Sequence, residues 1–135
     1  MSVVFEQTSY GVRCTIVDPL TYEDAVEWLK ETCRLAQAYR DKQVRFGQLM
    51  DLRGRSGRPQ PEQQKLIAES MRFVRECGLT RSAVVVQDPV FALKIKQSAF
   101  ETGMYEWERY LSAASTPDWE RKAIAWIEKG IDPDI

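Results

Sequence analysis

Histidine is absent from this chain of 135 residues, and its absence closes several routes to catalysis. The protein has no Ser-His-Asp or Cys-His pair, no imidazole to act as a base near neutral pH, and none of the commonest metal ligand. The cysteines form no CxxC pair, so a zinc site is not expected. The sequences GxGxxG and GxxxxGK[ST] are also missing, which argues against standard dinucleotide and P-loop sites. We therefore predict neither a metal nor a cofactor.

The sequence also lacks a long hydrophobic run and an excess of one charge. No apolar stretch approaches the roughly 18 residues of a membrane span, and the first residues lack the basic and apolar regions of a signal peptide. Lys and Arg number 19 and Asp and Glu number 20, so no bulk attraction to nucleic acid is expected. Cys14, Cys33 and Cys77 are widely spaced among apolar residues, which is typical of reduced thiols. We expect a cytoplasmic protein that binds no nucleic acid and inserts into no membrane.

The composition is that of one ordinary globular domain, with 44% hydrophobic and 29% charged residues. Segments rich in β-formers predict strands at residues 3–8, 12–17, 44–52, 81–87 and 105–111. Helical spacing and capping residues predict helices that begin after Thr21, at Pro61, after Asp88 and after Thr116. The order ββαβαβαβα predicts a single α/β domain over residues 1–135, with a mostly parallel sheet and one antiparallel N-terminal strand.

The segment before Pro61 contains the strongest candidate for a binding site. It carries the candidate ligand-binding residues Asp51, Arg53, Gly54, Arg55, Ser56, Gly57 and Arg58. Arginines placed just before a helix favour a phosphate, a carboxylate or an acidic partner, because helix N-terminal N–H groups attract anions. The same residues are also typical of an exposed, solvated loop. Ser56 follows basic residues and is a candidate phosphorylation site.

Asp51 lies at the carboxyl end of the strand that leads into this loop. It is either the charge partner of an arginine or a catalytic carboxylate. The first role fits a non-catalytic regulatory or interaction module that binds a protein partner or a small anionic ligand at the carboxyl ends of its strands. The second fits a small enzyme that acts on a phosphate- or carboxylate-bearing substrate with Arg53, Arg55 and Arg58.

The tryptophans suggest a third function, that of a structural homodimer subunit. Residues 105–111 alternate bulky and charged side chains like an edge strand, and Tyr105, Trp107 and Arg109 are the candidate interface residues. Trp119 and Trp126 keep the spacing of an apolar helix face and are predicted to be core residues. Trp28 lies one position off the apolar face of its helix and is expected to be partly exposed.

The order of elements resembles that of the STAS, or anti-sigma-factor antagonist-like, family. Residues 46–54 are similar to that family's pattern of apolar residues followed by Asp, an apolar residue, a small or polar residue and Gly. Residues 83–88 and 123–127 are similar to its later strand and its terminal helix. The resemblance implies a STAS-like fold and a non-enzymatic role. The family's phosphorylated serine would fall near Gln60, where no hydroxyl stands.

Overall fold

The structure is a computed structural model that describes residues 2–56 and 61–135. Within these residues the chain forms one sheet from the strands β1 (Val3–Thr8), β2 (Gly11–Val17), β3 (Phe46–Gly54), β4 (Leu79–Val86) and β5 (Glu108–Ser112). The strands lie side by side in chain order. β1 runs antiparallel to β2, and each later pair of neighbours is parallel. The predicted α/β fold with one antiparallel N-terminal strand is confirmed.

The helices of the described residues are α1 (Tyr22–Asp41), α2 (Pro61–Glu76), α3 (Pro89–Thr102) and α4 (Trp119–Lys129). Helices α1, α2 and α3 each connect two neighbouring parallel strands. These three connections proceed across the sheet in one direction. Connections of the same handedness then place their helices on the same face of the sheet. Trp28 of α1 and Ala92 of α3 accordingly pack in one core cluster with Met50, whereas Trp126 of α4 packs with Leu49 on the opposite face of β3.

The ends of the helices follow local chemistry that the sequence displays. Thr21 begins α1 with a capping box, in which its hydroxyl accepts from the N–H of Asp24 and the Asp24 carboxylate accepts from the N–H of Thr21. Pro61 is the first residue of α2. Asp88 caps α3 by accepting from an N–H of its first turn, and Gly103 ends α3 with a φ of 82°. The three predicted helix starts at Thr21, Pro61 and Asp88 are confirmed.

The start of β3 differs from the prediction. The strand begins at Phe46 and not at residue 44. Gln43 has a φ of 57°, and the N–H of Val44 donates to the carbonyl of Tyr39. The chain is therefore still leaving α1 at the residues where apolar composition suggested a strand.

Two boundaries near the carboxyl end also differ. Met104–Glu106 is a short 3₁₀-helix, so the strand predicted at 105–111 begins only at Glu108. α4 begins after Asp118 and not after Thr116, because the Thr116 carbonyl accepts from the N–H of Trp119 in a turn that precedes the helix. In both places a turn replaces the first residues of the predicted element.

The tryptophans of the helices are core residues. Trp119 and Trp126 are 8% and 6% exposed, which confirms the prediction. Trp28 is also only 8% exposed, so the expectation of partial exposure was wrong. It packs in the cluster that contains Cys14 and Leu29, because the face of α1 that contacts the sheet is wider than the apolar spacing suggested. Within the described ranges, no helix combines the length and the apolar character needed to cross a membrane.

A pair of glycines brings β2 and β3 close together. Gly11 lies opposite Gly47, and a Cβ on Gly11 would lie 2.1 Å from the Gly47 carbonyl oxygen. A Cβ on Gly47 would lie 2.2 Å from Cγ2 of Ile127 in α4. Because these two positions carry no side chain, β2 can lie close to β3 and α4 can pack closely against β3.

We expect Gly11→Ala to lower the free energy of unfolding by about 3 kcal/mol, because it adds overlap with backbone atoms to the strain of a φ of 142°. Gly103→Ala is the matched control, since Gly103 has a φ of 82° but no atom within 4 Å of an added Cβ, and it should cost about 1 kcal/mol. Urea denaturation followed by circular dichroism measures both. Equal losses would show that the close approach carries no energetic weight.

Candidate functional site

Asp51 is buried on the face of the sheet that α4 covers, with 3% of its surface exposed. Its Oδ1 accepts from Nε of Arg53 at 2.9 Å and from the Arg53 backbone N–H at 3.1 Å. Its Oδ2 accepts from Nη2 of Arg53 at 2.8 Å and from Nη2 of Arg13 at 3.1 Å. The interpretation of Asp51 as the charge partner of an arginine is confirmed.

These contacts determine the protonation state of Asp51. Burial acts to raise its pKa, but the hydrogen bonds and charge of Arg53, together with the hydrogen bond from Arg13, outweigh burial and hold the pKa below its usual range. Asp51 is therefore an ionised carboxylate at neutral pH, and both of its oxygens are already engaged by donors. Such a group is a poor general acid or base.

Two further residues complete the group that we call the Asp51 cluster, which consists of Arg13, Asp51, Arg53, Trp119 and Glu120. The guanidinium of Arg53 lies over the Trp119 ring at 4.5 Å from its centroid, in the range of a cation–π contact. Nη1 of Arg13 donates to Oε2 of Glu120 at 3.0 Å. Two cations thus meet two carboxylates, and the cluster has no net charge.

Arg53 is the more exposed of the two cations in the cluster. Its side chain is 40% exposed, against 4% for that of Asp51. Nε and Nη2 are held by Asp51, whereas Nη1 donates no hydrogen bond to any residue in the described part of the chain. The Asp51 carboxylate and the Trp119 ring therefore fix the orientation of the Arg53 guanidinium, while its Nη1 can still donate a hydrogen bond to a ligand.

The remaining residues of the predicted loop are arranged differently. Gly54 is the last residue of β3, opposite Val17, and so belongs to the strand. Ser56 donates to Oδ2 of Asp18 through its N–H at 2.7 Å and its hydroxyl at 3.0 Å, and Nε of Arg55 lies 3.8 Å from Oδ1 of Asp18. The Ser56 hydrogen bonds lower the pKa of Asp18. Phosphorylation of Ser56 stays a prediction, and it would place a phosphate against this carboxylate.

The described part of the loop does not form a common anion site at the amino end of α2. Arg53 lies on the α4 face of the sheet, whereas α2 packs on the other face, and Arg55 is turned towards Asp18. Gly57 and Arg58 lie outside the described residues.

The candidate interface residue Arg109 is enclosed by its own chain. Its side chain is 9% exposed, and its Nε lies 3.0 Å from Oδ1 of Asp132. Its guanidinium lies between the rings of Tyr105 and Trp126, at 3.7 Å and 4.2 Å from their centroids. Asp132, in the carboxyl-terminal segment, therefore pairs with Arg109, whose charge was expected to be exposed on an edge strand.

The two aromatic candidates of this edge also make contacts within the chain. The Tyr105 hydroxyl donates to Asp134, and the Tyr105 ring lies 4.2 Å from that of Phe100. Trp107 is half-buried, with the guanidinium of Arg75 at 4.9 Å from its ring. A contact between copies at this edge would have to compete with these internal contacts.

Glu108 is a buried acid that the sequence analysis missed. It is 5% exposed, and its carboxylate accepts from the Tyr110 hydroxyl at 2.6 Å. Burial raises the pKa of Glu108, and the hydroxyls of Tyr110 and Ser82 offset only part of this effect. The alternation of residues 105–111 placed Glu108 on an exposed edge, whereas every residue of β5 is buried.

The structure also has an open cleft beside α3. It measures about 210 Å³ and lies between α3 and the carboxyl end of β5, where Leu93, Lys96, Ser112 and Thr116 contribute to its walls. Asp51 and Arg53 do not line it, so it is not the deep pocket that an enzyme built on these two residues requires. Within residues 2–56 and 61–135, no group of three or more His, Cys, Asp or Glu residues is placed to hold a metal ion.

Comparison of the chain with protein-family models, with curated proteins and with solved structures finds no significant match. The geometry of the Asp51 cluster is therefore the main indication of function.

We expect Asp51→Asn to lower the free energy of unfolding at pH 7 by roughly 2 kcal/mol, because it leaves Arg13 and Arg53 without their shared carboxylate. The lowered pKa means that this stabilisation exists above the unfolded-state value of about 3.9 and is lost as pH falls through the lower value of the folded state. The difference between parent and variant should therefore shrink between pH 5 and pH 2. Urea titrations across this range test it.

Glu120→Gln is the control for the Asp51 variant. Glu120 pairs with the same Arg13, but its side chain is 53% exposed, so its loss should change stability by less than about 0.5 kcal/mol. An equal effect of the two substitutions would contradict the central place of Asp51 in the cluster.

Glu108→Gln should have the opposite pH dependence. A carboxyl group whose folded-state pKa is raised favours folding below its unfolded-state value and loses that contribution as pH rises through the folded value. The variant should therefore be more stable than the parent at pH 8, and the difference should disappear on acidification to pH 4. Thermal denaturation at both values measures this, and a parent that is the more stable at pH 8 would disprove it.

Proposed function

We propose that this protein is a non-catalytic interaction module that binds an acidic group of a protein partner at the carboxyl end of β3. The observation that carries the proposal is Arg53, a partly exposed guanidinium held in one orientation by Asp51 and by the Trp119 ring. A donor fixed before binding loses less conformational entropy when a carboxylate or phosphate docks on it. Arginine is also among the residues that contribute most to protein interfaces.

The charge of the cluster favours a protein over a small free anion as the ligand. Arg13 and Arg53 are balanced by Asp51 and Glu120, so no excess positive charge draws an isolated anion from solution. A protein partner adds contacts around the acidic group, and these supply the affinity that charge alone does not. A small anionic ligand is therefore an outcome that the test must distinguish.

The contacts of Asp51 support a role other than catalysis. Its lowered pKa keeps it ionised, and its hydrogen bonds orient Arg53. It acts in this proposal as a positioning residue. The enzyme alternative requires Asp51 to exchange a proton or attack a substrate while it gives up these partners.

Two further expectations belong to the same proposal. A reducing, cytoplasmic location is supported by the free thiols Cys14 and Cys77, which are both buried, and burial raises the pKa of Cys14 to about 12. Kinship with the STAS family is supported by the order of the elements and by the residues 46–54 that carry Asp51 and Arg53.

The test compares proteins captured from the native host by the immobilised parent, by Arg53→Gln and by Arg121→Gln. Arg121 is the control, because it is an exposed arginine of α4 that pairs only with Asp118 among the described residues. We expect a partner that the parent and the Arg121 variant retain and that Arg53→Gln binds about 30-fold more weakly, as for an interface residue worth roughly 2 kcal/mol. Equal binding by all three forms would refute the proposal.

Two side measurements separate the alternatives. A melting temperature that phosphate raises more than chloride does at matched ionic strength, and only when Arg53 is present, would assign the site to a small anion. Turnover of phosphoesters or acyl esters that Asp51→Asn abolishes would assign it to an enzyme. We expect neither result.

A further inference from the structure

Helix α3 presents large apolar side chains to solvent. Val90, Leu93 and Phe100 are 58%, 55% and 58% exposed, and their spacing of three and seven residues places them on one side of the helix. The opposite side of α3 is the one that packs on the sheet, through Ala92 and Ala99. Helix α3 is therefore apolar on two sides, whereas a helix at the surface of a monomer needs only one.

Two residues of opposite charge, Lys94 and Glu101, flank this exposed face. Lys94 and Glu101 are both exposed and lie seven residues apart, about 10 Å along the helix and on nearly the same side of it. Neither forms an ion pair with a residue of the described ranges. Gln97 lies midway between them. The face thus carries one positive and one negative group at nearly equal distances from its centre.

We propose that α3 packs antiparallel against α3 of a second copy of this chain, about a two-fold axis near Gln97. A two-fold axis there brings Leu93 of each copy to Phe100 of the other, and Lys94 of each to Glu101 of the other. An interface between identical copies must be self-complementary in this way. Charged residues beside the apolar seam of paired helices select the partner and the orientation, and a parallel pair would place like charges together.

The charge pattern argues for a second copy and against a membrane surface. A helix that lies on an anionic bilayer carries several Lys or Arg residues along its polar face, whereas one Lys and one Glu flank this stripe. The surface is also separate from the Asp51 cluster, because α3 and α4 cover opposite faces of the sheet. It adjoins the β5 edge, because the Phe100 ring contacts that of Tyr105, but it does not include Tyr105 and Arg109, which are engaged within the chain.

The first experiment measures the mass in solution by light scattering between about 1 and about 200 μM, where a Kd in the micromolar range is resolved. We expect the parent to reach twice the 15.6 kDa of one chain. Leu93→Asp and Phe100→Asp should each raise the dissociation constant at least about 100-fold, because each places two carboxylates in the apolar seam. Val44→Asp is the control, since Val44 is 50% exposed and lies outside α3, and it should leave the mass unchanged.

A charge exchange tests the antiparallel arrangement itself. Lys94→Glu and Glu101→Lys should each weaken association at least about 10-fold, because each converts two attractive contacts of the dimer into repulsive ones. The double variant Lys94→Glu/Glu101→Lys should return to within about 3-fold of the parent, since the pairs are restored with their signs reversed. Circular dichroism confirms that each variant is folded.

Three results would overturn the proposal. The first is a parent that stays monomeric throughout the concentration range, and the second is a dimer that Leu93→Asp and Phe100→Asp leave intact. The third is a double variant that associates no better than either single variant. Sedimentation of the parent with vesicles of phosphatidylcholine and phosphatidylserine, lost in Leu93→Asp, would assign the face to a lipid surface instead.

Discussion

Helices cover both faces of the central strand β3 and of the edge strand β5, and polar side chains on these two strands must therefore find their partners inside the protein. Residues 46–51 of β3 are all buried, and so are all the residues of β5. Asp51 and Glu108 stand on these strands, as does Arg109. Each lies close to groups contributed by other parts of the chain, and the arrangement of those groups determines where a cation or a carboxylate can be presented to solvent.

The two buried acids meet this requirement in opposite ways. Asp51 receives two guanidinium groups, so it remains charged and orients Arg53 at the surface. Glu108 receives the Tyr110 hydroxyl, and its charged form is penalised by burial. The same type of side chain therefore supports a surface function in one place and favours the protonated state in the other. Two differences act together: guanidinium groups face Asp51 whereas hydroxyls face Glu108, and Glu108 is the more deeply enclosed of the two.

Local signals in the sequence predicted the helix ends and the parallel sheet, because a cap such as Thr21 or an apolar run such as that of β4 depends on neighbouring residues. The role of Asp51 as a charge partner was also predicted, and Arg53 lies two residues away. Arg13 was not, because it lies 38 residues from Asp51 in sequence, and Glu120 lies 107 residues from Arg13. The 3₁₀-helix before β5 is closed by local hydrogen bonds from the N–H groups of Glu106 and Trp107 to the carbonyls of Gly103 and Met104, which the alternation of bulky and charged residues did not indicate.

Helix α4 follows all five strands in the chain, and it supplies the cover for one face of the sheet. During synthesis on the ribosome, the strands emerge before this helix does. Leu49, Ala83 and Val85 then lack the tryptophans that later cover them. A nascent chain at that stage carries an open apolar sheet surface, which is the kind of intermediate that chaperones bind and that aggregates when they do not. The nascent chain is therefore exposed to aggregation until α4 has been synthesised and has packed on the sheet.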